Sequence, residues 1–391
     1  MTIERFSFPT TIHFGAGAAK LVGPHLRDHG IKRPLVVTDR ALAQLPVATG
    51  FVALLRAAGL DAAVFDGIFG NPSVAQANAG AAAFRAHHAD GVVGFGGGAA
   101  LDVAKLVGVV ATAGGDAIEY AWDHPKVRAI PDAIPYFVAL PTTAGTGSEV
   151  GRSAVISEDD THVKRIVFSP KILARQVFAD PELTLGLPSA VTAATGMDAL
   201  THNVESYLSP AYHPLCDGIA LEGVRIAARA LPIAVRDGAH LAARGDMLMA
   251  SMMGAIAFQK DLGAVHSCAH ALSTVADLHH GLANGVMIDH VMAFNRSAAT
   301  ARMAELARVC GAPGGDAGSE EARAAAFVPW LRDLKKSIGI PATLSAIHGG
   351  RPVTRADFPR LVEVAYADLC HQTNPRKCDR ADFESLFAAA L

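Results

Sequence analysis

The 391-residue chain has little of several things that would narrow its class. Five cysteines (216, 268, 310, 370, 378) are scattered, odd in number and without a pair motif. That argues against a disulfide framework and suits reduced thiols in a cytosol. Lysines and arginines (34) form no run, and with 37 acidic residues the net charge is only −3. A nucleic-acid or anionic-membrane surface is therefore not expected. The N-terminal residues Met1–Arg5 lack a basic stretch followed by a long apolar one, so no signal peptide is read. Apolar runs such as Ala104–Ala113 fall well short of a bilayer span. No internal repeat, no low-complexity tract and no strict GxGxxG fingerprint is present. What remains, with 51% hydrophobic and 18% charged residues, describes a well-packed cytoplasmic globule. Its length predicts two domains.

Two halves follow different grammars. Pro34–Asp39, Asp61–Phe65, Gly91–Phe95, Tyr136–Leu140 and Val177–Ala179 read as short buried strands, most of them separated by Ala-rich helical stretches. That alternation predicts a mainly parallel sheet covered by helices on both faces. Phe6–Phe14 reads as an added hairpin or edge strand, able to pair with a second subunit. From about Pro188 the β-branched runs nearly vanish and helical periodicity takes over. The expected division is an α/β domain over residues 1–185 and an all-helical domain over 186–391. A cleft between them is the expected place for chemistry.

Histidine is what the second half has in excess: residues 198–290 hold 8 of the 17. Asp198 and His202 stand four apart in a helical run, so both side chains project from one face. His266 and His270 repeat the spacing, and His280 follows in His279-His280-Gly281. The bland alternative is a solvated helix face. Small apolar neighbours (Ala193, Ala194, Gly196, Ala199; Gly263, Ala264, Ala269) argue against it. Imidazoles with a carboxylate suit Fe, Mn or Zn.

In the first half, strand Gly91–Phe95 runs into Gly96-Gly97-Gly98-Ala99-Ala100-Leu101-Asp102 and an Ala-rich helix. Glycines let backbone N–H groups approach an anion, and the helix directs its positive end to the same place. A second turn, Pro141–Glu149, offers hydroxyls and N–H groups to phosphate or ribose, or serves only as a helix cap. Asp39 ends its strand where a carboxylate would accept from an adenosine ribose and repel a 2′-phosphate, favouring NAD; the neighbouring Arg40 pulls the other way. Lys260 and Arg152 are possible partners for a substrate carboxylate, with a surface role the commoner fate of such charges.

Taken together, Gly96–Lys105, Pro141–Glu149, Gly196–His202, Gly263–His270, His280-Gly281 and Thr373–Arg376 resemble the iron-containing (group III) alcohol dehydrogenase family over nearly the whole chain. Asp180–Leu187, Asp217–Leu221 and His371–Arg376 look most like its 4-hydroxybutyrate dehydrogenase members. The resemblance implies a dehydroquinate-synthase-like fold and an NAD-linked enzyme acting on a small primary alcohol or ω-hydroxyacid, or on the matching aldehyde. It implies Asp198, His202, His266 and His280 as ligands of one divalent metal, Fe(II) with zinc possible in the isolated protein, and His270 as a proton relay. By the same matching, Asp39, Asn71, Gly97, Gly98, Ala99, Ala100, Leu101, Asp102, Thr142, Thr143, Ala144, Gly145, Thr146, Lys164, Leu183 and Leu187 would contact the dinucleotide. The family commonly has proline before the last ligand, where this chain has His279, so two adjacent histidines compete for one role. The rival readings are a lactaldehyde, 1,2-diol or glycerol-type dehydrogenase, a maleylacetate reductase, and a catalytically silent metal-binding scaffold. A homodimer or higher homo-oligomer is expected.

Overall fold

The computed structural model describes residue 8 and residues 10–347 and 351–391. The chain divides into two compact units. One runs to Thr143 and resumes over Gly147–Thr184; the other is Leu185–Leu391 with the short segment Ala144–Thr146.

The first unit carries eight strands: β1 (Thr11–Phe14), β2 (Pro34–Asp39), β3 (Ala63–Ile68), β4 (Gly91–Gly96), β5 (Tyr136–Pro141), β6 (Ser153–Ser157), β7 (Lys164–Phe168) and β8 (Gln176–Ala179). Six form one sheet in the order β1-β8-β5-β4-β2-β3, every pairing parallel. Alternation along the strands sends Val36, Phe95, Val138, Leu140 and Phe178 to one face. There they meet Val22 and Leu26 of helix α1 (Val22–Asp28) and Phe51 and Leu55 of α2 (Pro46–Ala57). Helices α3 (Val74–Ala86) and α4 (Gly98–Ala113) build a second core with the antiparallel β6–β7 pair. A Cβ on Gly94 would sit 3.0 Å from Leu101 and 3.1 Å from Ala104, so the bare strand lets α4 lie close. The parallel sheet agrees with expectation. Over its described residues the N-terminal strand pairs parallel at the edge of the sheet, one of the two expected alternatives; Phe6, Ser7 and Pro9 lie outside the described residues. The β6–β7 hairpin was not expected.

The second unit is helical among its described residues: α5 (Ser189–Leu208), α6 (Pro214–Arg236), α7 (Leu241–Ala257), α8 (Ala264–Ala276), α9 (His280–Asn295), α10 (Thr300–Val309), α11 (Glu320–Ser337), α12 (Phe358–Ala367) and α13 (Arg380–Ala390). Helix α5 is its axis, packed against α6, α7 and α9 and buried from Thr192 to Leu208 except at Thr195. A helix buried all round needs apolar residues on every side. The ionisable ones it carries, Asp198, His202 and Glu205, must therefore find partners inside the unit. One stretch, Leu241–Lys260, is long and apolar enough to cross a bilayer, longer than the apolar runs noticed in the sequence. It is 61% buried, the pattern of a core helix.

Candidate metal centre and dinucleotide cleft

Three helices bring the metal-ligand candidates together. Asp198 and His202 lie one turn apart on α5, His266 lies in the first turn of α8, and His280 is the first residue of α9. Asp198 Oδ1 stands 3.8 Å from His202 Nε2, 3.7 Å from His266 Nε2 and 3.4 Å from His280 Nε2. Donors bonded at about 2.0–2.2 Å to one ion are separated by roughly 3.3 Å, so little movement is needed to close on a cation. Gly281 makes the approach possible, because a Cβ there would lie 2.3 Å from the Ala194 carbonyl of α5. His279 does something else: it caps α9, its Nδ1 accepting from Leu282 N at 3.4 Å.

Electrostatics favour a cation at this point. Burial pushes His202 down to about 4, against the pull of Asp198, so its ring is neutral. His266 is driven the other way, up to about 9; burial opposes this, but hydrogen bonds to Asp198 and Glu205 win. Burial also opposes ionisation of Asp198, yet His202, His280 and His266 hold its carboxyl far below the usual range. Two buried carboxylates thus gather positive charge at the place where the ring nitrogens converge. The donor set, one carboxylate and three imidazoles, fits a divalent first-row ion.

Two supporting residues were missed in the sequence. Glu205 Oε2 accepts from His266 Nδ1 at 2.6 Å while Oε1 accepts from Val265 N at 2.7 Å. One buried carboxylate thereby fixes the ring's tautomer and caps α8. Its signal was available, since positions 198, 202 and 205 share one helical face. Asn284 directs Nδ2 at Asp198 Oδ1 (2.8 Å) and lies 3.2 Å from His280 Nε2, one turn along α9.

His270 lies one turn beyond His266, its ring stacked on His280 with centroids 5.2 Å apart. Its Nδ1 is 2.8 Å from Asp368 Oδ2. Burial works to raise the Asp368 carboxyl, but the charge and hydrogen bond of His270 hold it below the ordinary carboxylate range. No local pattern announced Asp368, 98 residues away.

In the α/β unit the chain visits β3 on one side of β2 and then β4 on the other, so the order reverses between β2 and β4. A crevice outside the strand ends is expected at such a reversal. There a cleft of about 600 Å³ is lined by Asp39, Arg40, Ala41, Ile68, Phe69, Gly70, Gly97, Ala99 and Ala100. No side chain caps α4, so the N–H groups of its first turn are left for a ligand. Gly96 adopts φ 153°, which glycine tolerates, and a Cβ there would sit 2.7 Å from Ala100. Asp39 Oδ1 accepts from Leu42 N at 2.8 Å, and the Arg40 guanidinium lies 4.6 Å over the Phe69 ring.

The remaining expected cofactor contacts are not gathered in this cleft. Leu101 is buried under α4, and Asp102 is committed internally, accepting from Ser148 Oγ at 2.6 Å and Val155 N at 3.0 Å. Gly98 opens α4, and Asn71 is exposed just after Gly70. Thr142 donates its N–H to Gly96 O (3.0 Å), and Thr143 packs on Gly97. Ala144, Gly145 and Thr146 cluster with the helical unit, where Gly145 lies against Thr195 and its backbone favours the charged form of His202. Lys164 opens β7 opposite Ser157. Leu183 packs against the sheet core, and Leu187 offers its carbonyl to Arg244 at 3.3 Å. Lys260 is neither at the surface nor a free cation: it is fully buried and paired with Asp217, which Arg302 also holds. Arg152 places its guanidinium 5.6 Å over Phe168.

Comparison with known proteins agrees with both halves. Residues 9–181 match the model for iron-containing alcohol dehydrogenase, and residues 192–391 match the C-terminal model of the Fe-containing alcohol dehydrogenase family. The chain is similar to 4-hydroxybutyrate dehydrogenase of Cupriavidus necator, 38% identical over 98% of each chain. It is 37% identical to 1,3-propanediol dehydrogenase of Klebsiella pneumoniae over the full length of both. A crystal structure of 1,3-propanediol oxidoreductase superposes with a TM-score of 0.94 at 36% identity, covering 100% of both chains. A sulfoacetaldehyde reductase from Bifidobacterium kashiwanohense, solved in complex with NAD+, gives 0.88 at 27% identity over 100% of this chain and 99% of that one.

Proposed function

The chain belongs to the iron-containing alcohol dehydrogenase family, and on that premise we propose that it interconverts small primary alcohols and their aldehydes with NAD and a resident Fe(II). The observation that carries this reading is the convergence of Asp198, His202, His266 and His280 on one buried point. Asp198, His202, His266 and His280 would hold a divalent ion, which would supply Lewis acidity toward the alcohol or carbonyl oxygen; in the isolated protein zinc would compete for the same ligands. NAD supplies the hydride acceptor.

The rest is the work of the chain's own groups. Glu205 holds the His266 ring so that Nε2 faces the other ligands. The first-turn N–H groups of α4, approached over Gly97, bind the pyrophosphate. Asp39 takes the adenosine ribose and disfavours a 2′-phosphate; Arg40, stacked on Phe69, does not cancel that charge. His270 carries the hydroxyl proton away: Asp368 holds Nδ1, leaving Nε2 to accept, and a side chain 20% exposed can pass the proton to water.

The 4-hydroxybutyrate and 1,3-propanediol dehydrogenases that it resembles at 37–38% identity support a three- or four-carbon substrate with a polar far end. One observation favours a neutral diol over an ω-hydroxyacid: Lys260 spends its charge on Asp217. The test is turnover of short alcohols, diols and ω-hydroxyacids with NAD after Fe(II) reconstitution. Activity on 1,3-propanediol or 4-hydroxybutyrate with NAD well ahead of NADP supports the reading. A metal-loaded protein that binds NAD and oxidises none of these overturns it.

A further inference from the structure

Beside the first centre lies a second group of ligand-type side chains, and it contains the one donor the first lacks: a thiol. One donor atom each from His270, Asp368 and Cys370 lie within 4.8 Å of one another. We propose that these three form a second metal site, of the imidazole–carboxylate–thiolate kind that suits zinc, distinct from the Asp198-His202-His266-His280 centre and inhibitory when filled.

The geometry is close to what such an ion needs. Bonds of about 2.0–2.3 Å set tetrahedral donor separations of roughly 3.3–3.7 Å, so no pair of these donors, all within 4.8 Å, needs to close by more than about 1.5 Å. His270 and Asp368 already meet at 2.8 Å and need only part slightly to admit an ion. The carboxylate is held for the purpose: Asp368 Oδ1 accepts from Ser267 Oγ at 2.8 Å and from Cys370 N at 2.9 Å, leaving Oδ2 toward His270. Ser267 Oγ in turn accepts from His371 N at 2.9 Å. A ligand oriented by this outer shell of hydrogen bonds needs little reorganisation to bind. The site is reachable, with the His270 and Asp368 side chains 20% and 19% exposed, so water can complete the coordination. Cys370 sits in a short helical turn, Cys370–Thr373, just after α12, where backbone adjustment is easier than inside a long helix.

Sulfur separates the two sites chemically. A thiolate selects zinc or another soft ion over Fe(II) or Mn(II), whereas the first centre offers only nitrogen and oxygen. Binding releases one proton, from the Cys370 thiol, to the buffer; the His270 proton moves from Nδ1, which takes the ion, to Nε2, and no electron moves. The inhibition, unlike the site, rests on the reading of His270 as proton carrier, because a ring bound to an ion cannot take the substrate's proton.

The test uses the intact enzyme reconstituted with one Fe(II) per chain, titrated with Zn²⁺ alone and, in parallel, with Co²⁺. The expected result is a second ion per chain with iron retained, a thiolate-to-cobalt charge-transfer band, and turnover lowered by roughly 10²-fold or more. Cys370→Ala should keep the iron and the uninhibited turnover while losing the second ion, the band and the inhibition. Asp368→Asn, which preserves volume, should weaken the second ion as well. Total metal staying at one per chain as zinc displaces iron would overturn the site, as would a second ion that Cys370→Ala still binds. A second ion with its cobalt band but undiminished turnover upholds the site and overturns the role given to His270.

Discussion

The proposed metal centre and the proposed dinucleotide cleft would hold a charged partner by opposite means. In the helical unit the candidate holding groups are side chains, Asp198, His202 and His266 buried and His280 partly exposed, braced by Glu205 and Asn284. In the α/β unit they are mainly backbone N–H groups, and the sequence contributes by leaving side chains out at Gly96 and Gly97. The contrast teaches that one kind of site is lost by subtraction and the other by addition.

The largest effect should follow from subtracting a ligand. His202→Ala should lower turnover at least roughly 10³-fold, because Lewis-acid assistance contributes several kcal/mol. Metal analysis should show depleted iron, while titration with NAD gives a nearly unchanged affinity. The reverse experiment adds an atom group to the cleft. A Cβ on Gly97 already meets Thr143 Oγ1 at 3.2 Å and Cγ2 at 3.3 Å, and the further branches of Gly97→Val would occupy the anion's approach. NAD affinity should fall by roughly 10²-fold, about 2.7 kcal/mol, with metal content normal. If either variant damages both sites equally, the two are not separable and the comparison fails.

A smaller effect sharpens the metal side. Glu205→Gln keeps the shape but loses the charge behind His266, so metal affinity should drop roughly tenfold to a hundredfold by chelator competition. An unchanged affinity would reduce Glu205 to a cap for α8.

A separate effect, on stability and on neither site, lies under the phosphate turn, where Glu149 is buried beside Lys105 and Oε1 has no partner. Burial pushes its carboxyl up to about 7 from the ordinary 4.5. A raised folded-state value means that stability is full below about 4.5 and declines as pH rises toward 7. Glu149→Gln should remove that decline, gaining on the order of 3 kcal/mol over the native chain between pH 4.5 and 8. Calorimetric melting across that range checks it; parallel pH profiles for the two proteins would contradict it.

The same contrast explains what could be read in the sequence. Strands β2 to β5 and β8 were visible because buried parallel strands are runs of Val, Ile, Leu and Phe. Ser153–Ser157 and Lys164–Phe168 were not, since their mixed composition reads as loop until they pair. Ligand-type side chains announce themselves by identity, so Asp198, His202, His266 and His280, which the fold brings together, could be named in advance as candidates. Their partners could not all be: Asp368 approaches His270 only through the packing of α12 on α8. Lys260 looked available because a lysine's partner, here Asp217 on α6, is invisible without the fold. The backbone cleft was legible only as a pattern of absences, and Asp102 and Leu101, inside that pattern, turned out to face the protein.

The sharpest question is the one posed by two adjacent histidines. His280 Nε2 lies 3.4 Å from Asp198 Oδ1, whereas His279 caps a helix. Iron per chain should therefore be measured for His279→Ala and His280→Ala after identical Fe(II) reconstitution. Close to one iron in the first and little in the second is the predicted result. Full iron in His280→Ala, with loss in His279→Ala, would contradict the centre as drawn.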